Sequence, residues 1–236
     1  MAVPLSAKDV LSRLRSSPVY TTGSAPLDSL LDGGYRAGRV YMVYGKSNSG
    51  KSQLAMQAAL CVSRSGGRCL FVDSEGTFRP ERIQGMAAAR GWLESHVLKN
   101  IVYLRCDSAA VQTEVVRRMQ RRTETADCRL VVVDTLTRNF TLELPGKENM
   151  PDRQGALNVH LSEMARDAML NSRAYVLTNR VTFDRDDADV GVGGKTVSQL
   201  VHESLHLERS GSLVKATETE RMEAKLLTLD DRGVGA

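Results

Sequence analysis

The feature that most constrains this chain is a glycine-rich octapeptide, Gly-Lys-Ser-Asn-Ser-Gly-Lys-Ser, at residues 45–52. An apolar run at 40–44 precedes it, and Leu54, Ala58 and Cys61 follow it at helical spacing. The pattern predicts a buried strand, a tight glycine loop and a helix, in that order. Backbone N–H groups in such a loop point inward at phosphate oxygens, aided by the positive end of the helix. We therefore expect a phosphate-binding P-loop.

The residue types within this loop predict ATP and Mg²⁺ as cofactors. Lys51 is expected to reach the β and γ phosphates, and Ser52 to ligate Mg²⁺. A chance match in a Gly/Ser turn is the alternative, which the strand and helix on either side disfavour. The residues predicted to contact ATP here are Gly45, Lys46, Ser47, Asn48, Ser49, Gly50, Lys51, Ser52 and Gln53.

The composition is that of a soluble globular protein, with 42% hydrophobic and 25% charged residues in a chain of 236. No apolar run approaches the ~18 residues of a membrane helix, and the N-terminal residues lack the core of a signal sequence. We expect a cytoplasmic protein without membrane contact. Residues 1–236 are predicted to form one domain, with 1–20 as a lead-in. The net charge of +4 permits contact with a polyanion without requiring it.

Apolar runs alternate with helical patterns along most of the chain. This alternation predicts an α/β fold, with a mainly parallel sheet covered by helices on both faces. After residue 204, strand-like runs without intervening helices predict an antiparallel C-terminal extension at one sheet edge. Strands are predicted at 40–44, 69–73, 101–105, 130–134, 174–178, 213–217 and 224–229, and helices from about 80, over 109–122 and through 157–169.

Two carboxylates at or just after the ends of predicted strands are candidates for roles in ATP hydrolysis. Asp134 ends the strand at 130–134, where a carboxylate would hold Mg²⁺ through water. Glu75 follows the strand at 69–73 and is the candidate to orient or deprotonate an attacking water. For each residue a helix cap is the alternative, and for Glu75 the spacing alone leaves it open. The P-loop favours the metal role for Asp134.

Two blocks near the P-loop resemble the RecA/RadA recombinase superfamily. Residues 22–34 combine Thr-Gly, Leu-Asp-Ser-Leu-Leu and Gly-Gly, in the order found ahead of the P-loop in archaeal RadA and its shorter paralogue RadB. Residues 71–82 read Phe-Val-Asp-Ser-Glu-Gly-Thr-Phe-Arg-Pro-Glu-Arg, which looks very like the family's block around its catalytic glutamate. The similarity spans about residues 20–220. It implies a RecA-like ATPase core, nucleoid-associated and active in homologous recombination and DNA repair.

The resemblance also implies roles for single residues. Glu75 would be the catalytic carboxylate, acting with Lys51, and Arg82 would stack near the adenine of ATP. Asp134 would join Ser52 at the Mg²⁺ site.

Two stretches without apolar periodicity, 137–153 and 181–195, correspond to the family's DNA-facing loops one and two. Loops of that length inside a compact domain are usually functional or mobile. The resemblance implies that these two loops bind DNA, and single-stranded DNA is the expected form. The DNA contacts expected there are Arg138, Lys147, Arg153, Arg180, Arg185 and Lys195.

The sequence departs from the family's pattern at positions concerned with DNA. After the strand at 174–178 the family commonly has Asn-Gln, whose glutamine senses the γ-phosphate, whereas this chain has Asn179 and Arg180. An arginine cannot accept a hydrogen bond, so it would contact a phosphate of ATP or DNA instead. Loop two also carries an acidic cluster at 184–189, a poor match to a cationic groove for single strands.

The sequence contains neither a helix-hairpin-helix domain nor a Phe-x-x-Ala polymerisation motif. It therefore resembles RadB more than full-length RadA. The expected role is that of an ATPase accessory to a full-length recombinase as partner, with homo-oligomerisation left open. One alternative is a nucleotide-binding adaptor with negligible hydrolysis that binds a partner recombinase. Another is a KaiC-like or helicase-like ATPase, against which the block at 71–82 argues.

One motif points to a different chemistry. Residues 202–206 read His-Glu-Ser-Leu-His, the H-E-x-x-H pattern of zinc peptidases, which requires a continuous helix. Leu205 and Leu207 alternate with polar neighbours and predict a strand, on which the two histidines would be separated by roughly 13 Å. No zinc site is expected.

Overall fold

The computed structural model describes residues 6–121, 127–183 and 189–235. Its strands are β1 (Val19–Tyr20), β2 (Tyr35–Arg36), β3 (Val40–Gly45), β4 (Arg68–Asp73), β5 (Ile101–Arg105), β6 (Cys128–Asp134), β7 (Ala174–Phe183), β8 (Asp189–Gly191), β9 (Glu203–Ser210), β10 (Leu213–Glu218), β11 (Glu223–Asp230) and β12 (Gly233–Val234). Within the described ranges, β1 pairs with β2. The other ten strands form one sheet in the order β12-β11-β10-β9-β3-β7-β6-β4-β5, with β8 beside β7.

The helices connect the strands of this sheet. They are α1 (Ala7–Ser16), α2 (Ala25–Leu30), α3 (Lys51–Arg64), α4 (Pro80–Ala89), α5 (Glu94–Leu98), α6 (Ala109–Arg121), α7 (Arg138–Glu143), α8 (Met150–Asn171) and α9 (Gly194–Ser198). Pro80 opens α4 as predicted, because the first turn needs no N–H from it. None of the described helices is long and apolar enough to cross a membrane.

Two apolar cores lie on opposite faces of the sheet, and β6 contributes to both. Leu130 and Val132 pack in the core with α2 to α5, whereas Val131 and Val133 pack in the core with α6 to α9. Successive residues of a strand point to opposite faces of the sheet, so the two cores lie on opposite faces. The helices in each core therefore cover both sides of the sheet. The predicted α/β fold is therefore confirmed.

The sheet has the predicted parallel body and antiparallel extension. β5, β4, β6, β7, β3 and β9 run parallel, and β10 to β12 continue antiparallel. The junction between the two parts is β9, which pairs antiparallel with β10 on its other side. Leu205 and Leu207 lie on β9, which pairs in parallel with β3, so the antiparallel part begins only at β10. Alternation along a strand does not specify the direction of its neighbour.

The stretch 137–153, predicted to lack regular structure, contains α7 and the start of α8. Asn139 and Phe140 are the buried residues of α7. Asn139 donates hydrogen bonds to the Cys106 carbonyl at 3.0 Å and to Gln112 Oε1 at 3.1 Å. A short helix held by a buried amide has no apolar stripe, so hydrophobic periodicity could not reveal it.

Much of the second stretch, 181–195, also has regular structure. β7 continues to Phe183, β8 pairs antiparallel with it through Val181 and Gly191, and α9 begins at Gly194. The β7–β8 hairpin is therefore an extension of the sheet. Residues 184–188, which hold most of the predicted acidic cluster and Arg185, lie outside the described residues.

A buried ion pair joins the end of α8 to the start of β7. Arg173 Nη1 lies 3.2 Å from Asp167 Oδ2, and the side chains are 1% and 0% exposed. Tyr175 Oη donates to the same carboxylate oxygen at 2.6 Å, and Asn171 Nδ2 donates to Oδ1 at 2.6 Å. These bonds fix where β7 enters the sheet.

Replacing Arg173 with methionine should lower the free energy of unfolding by about 3–5 kcal/mol, because it leaves a buried carboxylate without its countercharge. Urea denaturation measures this loss. Arg118→Met is the matched control, since Arg118 pairs with Glu114 at 3.0 Å on the exposed face of α6. Its expected loss is below about 1 kcal/mol. Equal losses for the two variants would contradict the structural role of the buried pair.

Candidate functional site

The predicted glycine loop lies between β3 and α3, in the predicted order. Gly50 caps α3 with φ 102°, a left-handed conformation that favours glycine. A Cβ on Gly45 would collide with the Leu207 carbonyl oxygen and with Ser49 Oγ, so the close approach of β9 also requires glycine. Asn48 takes a positive φ of 62°. The loop has the tight backbone that a phosphate cradle needs, at the N-terminus of a fourteen-residue helix.

Lys51 folds back over the loop that precedes it. Its Nζ donates to the carbonyl oxygens of Gly45 at 2.9 Å and Lys46 at 2.7 Å. Burial lowers the pKa of the Lys51 ammonium, while the negative charges of Asp134 and Glu75 oppose that shift. The ammonium therefore lies in the field of both predicted carboxylates.

Asp134 ends β6 and is buried among hydroxyl groups. Ser52 Oγ donates to its Oδ1 at 3.2 Å, Thr178 Oγ1 donates to the same oxygen, and Thr77 Oγ1 donates to Oδ2 at 3.4 Å. Burial raises the pKa of the Asp134 carboxyl, against the hydrogen bonds from Thr178 and Ser52, which lower it. Hydroxyls from α3, β7 and the segment after β4 thus converge on one carboxylate.

These donors fit a magnesium ion. Mg²⁺ prefers hard oxygen ligands and usually keeps several waters, so one hydroxyl and one carboxylate are a suitable protein contribution. The Ser52 hydroxyl and the Asp134 carboxylate are the two residues predicted for it, and they are in contact. Burial disfavours the ionised form of the Asp134 carboxyl, and a nearby cation stabilises that form.

Asp73, at the end of β4, shapes the turn that carries Glu75. Its Oδ1 accepts the backbone N–H groups of Glu75 at 3.0 Å and Gly76 at 2.7 Å, and its Oδ2 accepts that of Phe78 at 3.1 Å. Its side chain is 1% exposed and lies 3.6 Å from Arg105 Nη1. Asp73 is thus a buried organiser of this turn, a role that the sequence interpretation missed.

Glu75 lies beside the end of β6, opposite Arg180. Thr135 Oγ1 donates to Glu75 Oε1 at 3.3 Å, and Arg180 Nη2 donates to the same oxygen at 2.7 Å. The Glu75 side chain is 16% exposed and that of Arg180 is 61% exposed. The structure therefore brings together Lys51, Ser52, Asp134 and Glu75, as predicted, and adds Arg180 to them.

Gln53 lies in the first turn of α3, and Arg82 on α4 contacts it. Arg82 Nε donates to Gln53 Oε1 at 2.8 Å, and its Nη groups donate to the carbonyls of Asp230 at 2.7 Å and Asp231 at 3.2 Å. These contacts hold the β11–β12 turn against α3 and α4. Stacking of Arg82 on adenine stays a prediction.

The cationic residues of the first predicted DNA loop are in different environments. Arg138 opens α7 and is partly buried, while Lys147 is exposed between α7 and α8. Arg153 Nη1 donates to the carbonyls of Leu144 and Gly146, the latter at 3.2 Å, and so closes the α7–α8 connection.

The second predicted DNA loop is described only in part. Arg180 lies on β7 and is paired with Glu75. Arg185 lies outside the described residues, and Lys195 is placed by its backbone on α9, without a description of its side chain.

Glu203 to His206 lie on β9, a strand as predicted, and His202 immediately precedes it. The Val40 amide donates to His202 Nδ1 at 3.1 Å, and the His206 ring stacks on Tyr44 with centroids 4.8 Å apart. Within 6–121, 127–183 and 189–235, no three or more histidine, cysteine, aspartate or glutamate side chains are grouped so that they could hold a metal ion.

A buried polar network anchors α7 beside the site. Gln112 Nε2 donates to the Leu136 carbonyl at 3.0 Å and lies 3.2 Å from His160 Nε2, while Gln112 Oε1 accepts from Asn139. His160 is fully buried on α8. Burial lowers its pKa to about 3, and the positive charge of Arg117 adds to the shift.

The fold and this constellation define a P-loop NTPase of the RecA type. The model of the Rad51 family matches residues 15–207, and the chain belongs to that family. It is 36% identical over 203 residues to the DNA repair and recombination protein RadA of Metallosphaera sedula, which covers 81% of this chain and 63% of that protein. It is also 36% identical over 200 residues to the RadA protein of Aeropyrum pernix, covering 80% and 63%. The chain therefore spans less than two thirds of the length of these relatives.

His160 should make stability depend on pH. As the pH falls below the ordinary value of 6.5, the unfolded chain protonates this histidine, whereas the folded chain does so only near pH 3. The free energy of unfolding should therefore fall, by about 2 kcal/mol at pH 5 from this residue alone.

Urea denaturation of the wild type and of His160→Gln at pH 7 and pH 5 measures this dependence. Burial also lowers the pKa of His202, so the difference between the two proteins is the relevant quantity. We expect a smaller loss in the variant. If the free energy of unfolding falls equally in the two proteins between pH 7 and pH 5, His160 is not the titrating group.

Proposed function

We propose that this chain is a Mg²⁺-dependent ATPase of the RadB kind, acting in homologous recombination and DNA repair as an accessory to a full-length recombinase. The observation that carries the proposal is the contact between the P-loop and the Asp134 carboxylate. Ser52 meets Asp134 at 3.2 Å, and Lys51 lies in the field of both Asp134 and Glu75. We further propose that residues 1–236 act as one domain.

The proposed reaction is attack of water on the γ-phosphorus of ATP, which breaks the bond to the β–γ bridging oxygen and releases ADP and phosphate. The P-loop amides and Lys51 would stabilise negative charge that develops on the phosphate oxygens. Glu75 would accept a hydrogen bond from the attacking water and orient it. Mg²⁺, held by Ser52 and Asp134, would supply charge neutralisation at the β and γ phosphates.

A nucleotide-binding adaptor with negligible hydrolysis is the second candidate. The ion pair between Arg180 and Glu75 favours it, since a guanidinium occupies an oxygen of the carboxylate that would orient water. The burial of Asp134 among hydroxyls suits nucleotide binding in both candidates. They differ in turnover, which the following substitutions measure.

Glu75→Gln should lower kcat for ATP about 100-fold or more while ATP remains bound, because it removes the negative charge that activates the attacking water and leaves the residues of the P-loop in place. Lys51→Ala should lower kcat by a similar factor, since it removes a cation aimed at the phosphates. Steady-state phosphate release, with binding of a fluorescent ATP analogue measured in parallel, separates the two effects.

The matched control is Glu114→Gln, the same substitution on the half-exposed face of α6, where turnover should stay unchanged. If Glu75→Gln hydrolyses ATP like the wild type, the catalytic assignment is wrong. ATP binding without turnover in the wild type would instead favour the adaptor.

Single-stranded DNA is the proposed polyanionic partner, with Arg138 and Lys147 as the described residues available to meet its backbone. The logarithm of the association constant should fall linearly with that of salt concentration, by about 0.7 for each phosphate contact. Alanine at both positions should reduce the slope by about 1.4. Fluorescence anisotropy of a labelled oligothymidine measures it.

Lys99→Ala is the control, because Lys99 is exposed after α5, in the other helical layer. It should leave the slope unchanged. A wild-type slope near zero would remove DNA phosphate contacts from the proposal, and an unchanged slope in the double variant would place them elsewhere.

A further inference from the structure

The ion pair between Arg180 and Glu75 joins two distant parts of the chain. Arg180 Nη2 lies 2.7 Å from Glu75 Oε1, within hydrogen-bond distance. The carboxylate side of the pair is 16% exposed, whereas the guanidinium side is 61% exposed. The Arg180 side chain of this pair is therefore accessible to solvent, while Glu75 is mostly covered.

The Glu75 carboxylate is held at one oxygen. Both hydrogen bonds that it accepts from described residues, from Thr135 and from Arg180, fall on Oε1. A carboxylate that orients water must accept a hydrogen bond from that water, and a guanidinium on the same group competes for it. The observed arrangement therefore opposes the role proposed for Glu75.

The cation belongs to the β7–β8 hairpin. The Val192 amide donates to the Arg180 carbonyl at 2.9 Å, so the backbone of Arg180 is bonded to the returning segment. Asn179, the preceding residue, donates from Nδ2 to the Val192 carbonyl at 2.7 Å and accepts from Thr137 Oγ1 at 2.7 Å. The base of the hairpin is therefore rigid, while the Arg180 side chain reaches from it to Glu75.

We propose that Arg180 is a positioning residue that restrains ATP hydrolysis by holding the Glu75 carboxylate in an ion pair. The inference rests on the ATPase function proposed above and assigns its regulation. A guanidinium has five N–H donors, and the Arg180 side chain is 61% exposed, so an anion can reach it and compete with Glu75 for these donors. Release of the carboxylate then raises the rate of hydrolysis without changing the contacts of the P-loop with ATP.

The test compares kcat and KM for Mg·ATP in the wild type, Arg180→Gln and Arg180→Lys. Arg180→Gln should raise kcat about two- to fivefold, the effect expected from loss of an exposed ion pair. KM should stay within about twofold, because the Arg180 side chain contacts Glu75 in the structure and the proposal gives it no contact with ATP, in contrast to the contact expected from the sequence. Arg180→Lys keeps the charge but not the planar fork, so its kcat should lie between the other two.

The dependence of kcat on salt concentration is a second measurement. It would not change if Arg180 had only a structural role. Raising KCl from about 50 to about 300 mM should screen the exposed pair. At saturating Mg·ATP, the wild-type kcat should approach that of Arg180→Gln. The control Arg118→Gln removes an exposed arginine that pairs with Glu114 on α6, and its kcat should follow the wild type at both salt concentrations.

The outcomes separate this inference from the function on which it rests. A wild-type turnover that Glu75→Gln abolishes, with kcat unchanged or lowered in Arg180→Gln, overturns the restraint and leaves the ATPase in place. An absence of turnover in both the wild type and Arg180→Gln overturns the ATPase proposal and the inference with it. Turnover that rises in Arg180→Gln and is lost in Glu75→Gln supports both.

Discussion

The parallel register of four strands is the constraint on which the rest of the candidate site depends. Gly45 on β3 is paired with Arg180 on β7, and Asp73 on β4 is paired with Asp134 on β6. Parallel strands end at the same edge of a sheet, so this register puts the glycine loop, the buried carboxylate and the Glu75 turn side by side. Burial on both faces fixes the register, because a slip of one residue would exchange the two apolar cores.

Much of this arrangement is predictable because it rests on local patterns. A strand that ends in Asp134, a glycine loop that opens α3 and a block that carries Glu75 each follow from residues close together in sequence. The fold class follows from apolar runs that alternate with helical spacing. Hydrophobic periodicity reflects which side chains are buried. These strands and helices bury apolar side chains in the two cores, so their positions can be predicted from it.

The remaining features depend on polar contacts between residues far apart in sequence. α7 is held by the Asn139 amide, and Arg153 and Arg82 bond main-chain carbonyls, for which a sequence pattern gives no signal. Arg180 was expected to meet a phosphate, and its contact with Glu75 spans 105 positions. Whether an arginine pairs with a carboxylate, a carbonyl or a ligand depends on what the fold places beside it.

The side chain of Asn179 has a mechanical consequence. Its oxygen is bonded to the hydroxyl of Thr137, just before α7, and its nitrogen to the carbonyl of Val192, just after β8. One buried amide is thus shared by the segments before α7 and after β8. Displacing the second segment removes the partner of the amide nitrogen, at a cost of about 1–3 kcal/mol, whereas the amide oxygen also accepts from the Arg180 N–H at 2.9 Å. The Asn179 side chain therefore ties the start of α7 to the segment after β8, with one hydrogen bond on each side.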